Sequence, residues 1–409
     1  MSNAFFTKFK GWDEKNCLGT ASVKIKNRGI ILGKLITAKQ LSRAEIARRT
    51  NLSAPTVSRI ITELLETGII SEIGAVQTGD MGAPASMLSF NAKAGYVIGV
   101  NIGESVIQAA IADLSGEVIS SLEAPTKAKL GGDVTTRQVA KLCQQLLNVQ
   151  GLHVEQLFHI CVGIPGTVVV DENDVLTVNA PDINGWHHYP LKVRLTEQLG
   201  TSDVYIENAQ NLAVVCEHTI GCATDCTDVV FVHVKAGIGA GLLVNGELYR
   251  GSGGVAGEIG FIMPSLNYAP IADSASAARH GCLEMAVGIG SIIDKLELKS
   301  DPENIPDLEK LYILAADGDQ AIYDVLSATW EYIGLTVVNI CAILNPQMVV
   351  LGGDILPLGQ RVKEAVEHYV ESFCLQPPEI RLSTKGNKTC LYGAVQMACS
   401  RVLHKLGIY

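Results

Sequence analysis
The spacing of apolar positions divides the chain before any motif is considered. Residues 1–20 show no periodicity and read as a mobile arm. Apolar residues at 23, 25, 30, 31, 32, 35 and 36 then recur at helical spacing, so Val23 to Ile36 reads as a helix. LSRAEIARRTNLSAPTVSRIITELLETGII predicts two more. Ser42, with Glu45 three residues on, forms a capping box that opens a short helix over Arg43 to Thr50. Asn51-Leu52 is a tight turn. Ser53 caps the next helix, with Pro55 in its first turn, and it runs to about Thr67. Its buried face is Val57, Ile60, Ile61, Leu64 and Leu65, and Gly68 ends it. Ile69 to Ile73 and Met87 to Phe90, around a turn rich in Gly and Asp, read as a hairpin.

From residue 95 the pattern alternates between strand and helix. Tyr96 to Asn101 and Val106 to Asp113 are strands around Ile102-Gly103-Glu104-Ser105, and helical periodicity follows over Asp133 to Leu147. His159 to Val162 leads into Gly163-Ile164-Pro165-Gly166, and Val204 to Ile206 ends at Glu207-Asn208. The chain is organised around VVFVHVKAGIGAGLLVNGELYRGSGGVAGEIGF, Val229 to Phe261. A strand, Val229 to Val234, precedes Gly237, Gly239 and Gly241, which would let the backbone turn and approach a ligand. A strand over Gly241 to Val244, an Asn245-Gly246 hairpin signal and a glycine-rich loop holding Glu258 follow. Met348 to Leu351 feeds Gly352-Gly353. Strand–turn–glycine units recur in each half, giving an α/β body of two lobes around a cleft.

Charge sharpens this division. Residues 1–90 carry 12 Lys and Arg against 7 Asp and Glu, and the remainder carries 20 against 35. A basic N-terminal module on an acidic body suggests a polyanion partner for that module alone. Apolar residues make up 47% and charged residues 18% of the chain, ordinary for a folded soluble protein. No signal-peptide pattern is present, and no window is expected to reach the apolar length of a membrane span. Cys143, Cys161, Cys216, Cys341 and Cys399 lie among apolar neighbours and read as buried reduced thiols, which suits the cytoplasm.

Two short helices joined by a tight turn, followed by a hairpin, make a winged helix-turn-helix. Small polar residues and an Arg at the start of the second helix suit base edges in the major groove. The candidate DNA-binding residues are Arg43, Ser53, Ala54, Thr56, Ser58 and Arg59. An αα-hairpin within a helical domain is the plainer alternative.

The chain resembles a transcriptional regulator of the ROK family (repressors, open reading frames and sugar kinases), which includes xylose and N-acetylglucosamine repressors. LSRAEIARRTNLSAPTVSRIITELLETGIISEIG carries the resemblance to the repressor branch. GVNIGESVIQAAIADLSGEV, GIPGTVVVDENDV, IENAQNLAVVCE, NGELYRGSGGVAGEIGF, HGCLE and VVLGGD carry it through the body. The resemblance spans about Arg28 to Leu406. It implies residues 21–90 as a winged helix-turn-helix and residues 95–409 as an actin-like, hexokinase-type body for effector binding and dimerisation. It also implies a homodimer or dimer of dimers, and a sugar pocket at Asp182, Asn208, Glu258 and Glu284, with Gly163 to Gly166 as floor. Carboxylates suit sugars because each accepts two hydroxyl donors. Trp186 reads as core or as a stacking surface for sugar.

Departures from the family pattern bear on function. Asn101 and Glu104 replace an Asp and a Gly of the first phosphate loop, and Ala209 stands where the family's catalytic Asp belongs. A positioned base is worth about 10²–10⁴-fold in rate, which Ala209 cannot supply. Lys235 and Ala236 replace small residues of the second phosphate loop. The family's zinc His is Phe261 here, and only Cys282 remains of its cysteine run, so no metal or other cofactor is expected. Ala83 replaces a wing Arg, altering minor-groove reading. The expected protein is a cytoplasmic DNA-binding repressor of carbohydrate genes, without enzymatic activity, on a palindromic operator. Effector binding would close the lobes and respace the recognition helices, through Ile73 to Gly95. The alternatives are an active sugar kinase with an attached DNA module, and a regulator signalled by a protein partner.

Overall fold
The computed structural model describes residues 20–76, 85–170, 176–180, 183–201, 203–264, 281–298 and 306–408. Residues 1–19 of the expected arm, the wing tip with Ala83, and Asp182 lie outside these residues.

The N-terminal module consists of α1 (Thr20–Ala38), β1 (Leu41–Ser42), α2 (Arg43–Thr50), α3 (Ala54–Glu66), β2 (Ile70–Val76) and β3 (Ala85–Phe90). Its local signals act as the sequence predicts. The Ser42 side chain accepts from the Glu45 amide while Glu45 reaches back to the Ser42 amide, and Asn51 closes α2 in the left-handed region at φ 55°. Ser53 caps α3, whose Val57, Ile60, Ile61 and Leu64 are buried while Leu65 is half-buried. β2 and β3 pair antiparallel as the wing. The short β1 adds a third strand by pairing Leu41 with Leu88.

The body has two sheets of one design. Lobe 1 contains β4 (Tyr96–Ile102), β5 (Val106–Asp113), β6 (Val118–Pro125), α4 (Gly132–Val149), β7 (Leu157–Ile164), β8 (Thr167–Val170), β9 (Leu176–Asn179), α5 (Leu191–Leu199), β10 (Val204–Asn208) and α6 (Ala209–Ile220). Lobe 2 contains β11 (Val229–Val234), β12 (Ile238–Val244), β13 (Glu247–Leu248), α7 (Cys282–Val287), α8 (Ile289–Lys295), α9 (Leu308–Ala316), α10 (Gln320–Leu344), β14 (Met348–Gly353), α11 (Gly359–Phe373) and β15 (Glu379–Leu382). The final helix, α12 (Thr389–Lys405), returns to lobe 1. In sheet order β10-β7-β4-β5-β6, the first strand has an antiparallel meander on one side and parallel strands on the other. Order β13-β12-β11-β14-β15 repeats that plan.

Helix α6 lies between the sheets. Its Leu212 joins the core of lobe 1, while Ala209, Ala213 and Val214 pack on Val229, Phe231 and Met348 of lobe 2. This explains two glycines read from sequence as a ligand turn. Gly239 and Gly241 lie within β12, paired with His233 and Phe231. A Cβ at Gly241 would overlap the Gln210 carbonyl of α6, so these glycines serve helix-on-sheet contact, and only Gly237 belongs to the turn.

One further expectation needs correction. Among the described residues, α10 is long and apolar enough to cross a membrane, contrary to the sequence reading. Half of its apolar window is buried, with Leu326, Trp330, Ile333 and Val337 in the core of lobe 2, as in a central core helix. The junction to the body is anchored on both sides. The start of a 3₁₀ turn, Ala92–Ala94, is tied to the module and to the body: the Asn91 side chain donates to the Gly68 carbonyl at 2.9 Å and the Leu114 amide to the Ala92 carbonyl at 3.0 Å. Trp186 is core, 3% exposed and stacked on Tyr189 at 5.5 Å. The five cysteines expected to be buried are buried, and burial pushes the Cys143 and Cys399 thiols up to about 12.

Candidate functional site
Two surfaces carry the chemistry. On the N-terminal module, Ser53, Ala54, Ser58 and Arg59 are exposed along the first two turns of α3 and its cap, forming one polar edge. Thr56 is half-buried and its hydroxyl lies 2.8 Å from that of Ser53, so the pair stiffens the start of the helix. Arg43 is employed differently. Its guanidinium donates to the Ser58 carbonyl at 3.4 Å and lies 3.7 Å from Glu72, bracing α2 against α3 and the wing. The sequence reading omitted Arg48 and Arg49, exposed in the last turn of α2 with Arg59 nearby in sequence as the third arginine of the motif's surface. Their place, on the helix that crosses the backbone in this motif, suits phosphate contacts. Their position in a last turn was a legible signal.

The second surface is the cleft. Asn208 is the N-cap of α6: its carbonyl oxygen accepts the Gln210 and Asn211 amides at 2.8 and 3.2 Å, and its amide donates to the Gly166 carbonyl at 2.9 Å. That ties the Gly163–Gly166 floor to the helix start. Ala209 follows as the first helical residue, with a methyl group and no proton acceptor. Glu258 and Glu284 come together across the glycine loop of lobe 2. The Glu284 side chain lies against Gly237 and Gly260. Burial, and then the neighbouring Glu284 charge, push the Glu258 carboxyl above its ordinary range.

The two turns that the family resemblance likens to phosphate loops carry a carboxylate, an amide and a lysine. Glu104 is exposed at the tip of the β4–β5 turn, and the half-buried Asn101 amide lies 3.5 Å from Gln108. Lys235 in the β11–β12 turn faces Asp354 at 3.9 Å. Burial lifts the Asp354 carboxyl to about 6, with Lys235 opposing the shift. A carboxyl raised by folding weakens the fold once it ionises, so its effect is absent below its unfolded value and grows as pH rises to about 6. Asp354→Asn is therefore expected to raise the melting temperature at neutral pH and to change it little near pH 4. Thermal unfolding at both pH values checks this; an equal shift at both would contradict it.

The residues present do not fit the family's zinc. Phe261 is 46% exposed where the resemblance would put a ligating His, and its phenyl ring offers no metal-binding atom.

One feature escaped the sequence reading. Glu207, 3% exposed, accepts from Arg250 Nε and Nη2 at 2.9 and 2.7 Å, from the Tyr205 hydroxyl at 3.0 Å, from the Asn208 amide at 3.0 Å and from Asn211 Nδ2 at 2.9 Å. It is a structural carboxylate with every acceptor direction used, joining a loop of lobe 2 to the edge strand of lobe 1.

Comparison with known proteins places this geometry. Residues 31–71 match the winged helix-turn-helix DNA-binding family and residues 97–401 match the ROK family. The chain is 26% identical to the xylose repressor of Bacillus subtilis, over 86% of this chain and 88% of that protein. It is 27% identical to a glucokinase of Halalkalibacterium halodurans, over 73% of this chain and 93% of the enzyme. A solved ROK family transcriptional regulator, a homologue of the E. coli MLC protein, superposes with a TM-score of 0.76 at 20% identity, covering 95% of this chain and 98% of that one. The chain belongs to the ROK family, with a winged helix-turn-helix ahead of the family's two-lobed body.

Proposed function
We propose that this chain is a cytoplasmic transcriptional repressor of carbohydrate uptake or metabolism genes, binding a palindromic operator as a homodimer or dimer of dimers. A sugar or sugar derivative in the inter-lobe cleft is its signal. The observation that carries the reading is the exposed polar edge of α3, set on a module whose core is continuous with a kinase-like body. The match of residues 31–71 to a winged helix-turn-helix DNA-binding family and the likeness to a xylose repressor over 86% of the chain support it. Glu258, Glu284 and Asn208 are the hydroxyl-binding groups, with Asp182 as a fourth candidate outside the described residues. Catalysis is absent in this reading because Ala209 offers no base and Lys235 and Glu104 alter both phosphate loops.

Thermal-shift titration with D-xylose, D-glucose and N-acetylglucosamine, alongside an assay of ATP consumption, tests both halves. Stabilisation by a sugar without turnover is expected, and Glu258→Ala is expected to weaken the response at least tenfold. Steady ATP consumption with any of these sugars would return the chain to the kinases.

The alternative in which a protein partner carries the signal draws on exposed apolar side chains, Ile343 at the end of α10 and Phe373 and Leu375 at the end of α11. It would be favoured if no sugar shifted the melting temperature.

A further inference from the structure
A chain of contacts outside the two sites joins them. Arg250, from the lobe 2 loop that leads to Glu258, donates to Glu207 and, through Nη2 at 3.0 Å, to the Tyr205 hydroxyl of lobe 1. The Tyr205 ring in turn carries the Arg401 guanidinium of α12, 3.9 Å from its centroid, and Lys405 of the same helix pairs with Asp203. Beyond the end of α12, the chain meets the DNA-binding module backbone to backbone. A Cβ at Gly29 of α1 would overlap the Gly407 carbonyl, and one at Gly407, where φ is +87°, would overlap the Ile25 carbonyl. With backbone this close, and the Ile25 side chain packed against Gly407, α1 and the end of α12 are held in register.

The hydrophobic core gives the same answer. Ile31, Leu32 and Leu35 of α1 and Ile60, Ile61 and Leu64 of α3 share one continuous cluster with Leu391, Val395 and Val402 of α12. α12 is also held at its other end, where a Cβ at Gly393 would overlap the Leu212 carbonyl of α6, the helix that Asn208 caps in the cleft.

We propose that Arg250 is a positioning residue that reports the position of lobe 2 to the DNA-binding helices, through Tyr205, Arg401 and α12. Closure of the cleft moves the loop that holds both Glu258 and Arg250. The Arg250–Glu207–Tyr205 cluster converts that movement into a shift of α12, and the fused core carries it to α1 and α3. This route runs through α12 and stands beside the linkage through Ile73 to Gly95 expected from sequence. It gives a purpose to the sugar-responsive reading but is tested without any effector, so either can fail alone.

The test is hydrogen–deuterium exchange on the full chain. Arg250→Gln is expected to accelerate exchange about fivefold or more in Thr389–Lys405 and Thr20–Ala38, with Gly359–Phe373 of lobe 2 unchanged. Tyr205→Phe removes one hydroxyl and keeps the ring under Arg401; it is expected to raise exchange in the same two helices, by less. That milder variant decides the matter if Arg250→Gln loosens the whole chain. Exchange raised only at Val204–Asn208 and in the Arg250 loop, with both helices as in the parent protein, would overturn the proposal.

Discussion
Replacing Glu207 by Ala is expected to be the most damaging single change in the body, costing about 3 kcal/mol of stability. The carboxylate is buried and receives two donors from Arg250, one from Tyr205 and two from Asn208 and Asn211. Removing it leaves the Asn211 amide buried without its acceptor, and Arg250 facing a cavity. The side chain of Arg250 is 40% exposed, so part of its charge can rehydrate, which places the cost at the lower end of the range for broken buried pairs. Glu207→Gln keeps the shape and an acceptor but loses the charge, and is expected to cost about half as much. Urea unfolding of the three proteins checks the order. A cost below about 1 kcal/mol for Glu207→Ala would mean the network is no stronger than a surface ion pair.

Replacing Arg59 by Ala is expected to weaken operator binding about 10- to 100-fold while leaving the melting temperature unchanged. Arg59 is exposed, next to the buried Ile60, and belongs to the polar edge of α3. An Arg that reaches a guanine edge is worth about 1–3 kcal/mol of discrimination, so the loss should fall on the specific site and much less on random DNA. Arg43→Ala gives the informative contrast. Its guanidinium braces the Ser58 carbonyl and Glu72, so its loss should lower stability as well as affinity. Anisotropy titrations on operator and random duplexes at one stated salt concentration check both; equal loss on both duplexes for Arg59→Ala would make it a phosphate contact.

What was legible in the sequence was local. The capping box at Ser42, the Ser53 cap, the turn at Asn51 and the strand periods depend on residues a few positions apart, and they place α2, α3, β5 and β11 where the structure has them. Features made by distant pairs were not legible. β1 exists only because Leu41 meets Leu88, and the Gly29–Gly407 contact joins opposite ends of the chain. Gly239 and Gly241 looked like a ligand turn because alternate glycines suit both a turn and a close helix contact. Only the position of Gln210 distinguishes them. In the body, the glycine-rich loop drew attention to Glu258, whereas grouping it with Asn208 and Glu284 rested on family resemblance alone. Glu207 was passed over because its principal partner, Arg250, lies on the other lobe. An apolar run such as α10 likewise has the composition of a membrane span until its burial in lobe 2 is known.

The central claim is that a sugar held by the body releases the helix-turn-helix from DNA. The most direct measurement is fluorescence anisotropy of the full-length protein on labelled DNA from upstream of its own coding region, at fixed salt, with and without each sugar and sugar phosphate in a panel. The account predicts tight, sequence-selective binding that one sugar weakens at least tenfold and that Glu258→Ala renders insensitive. Sequence-selective binding that no member of the panel alters, or no selective binding at all, would contradict it.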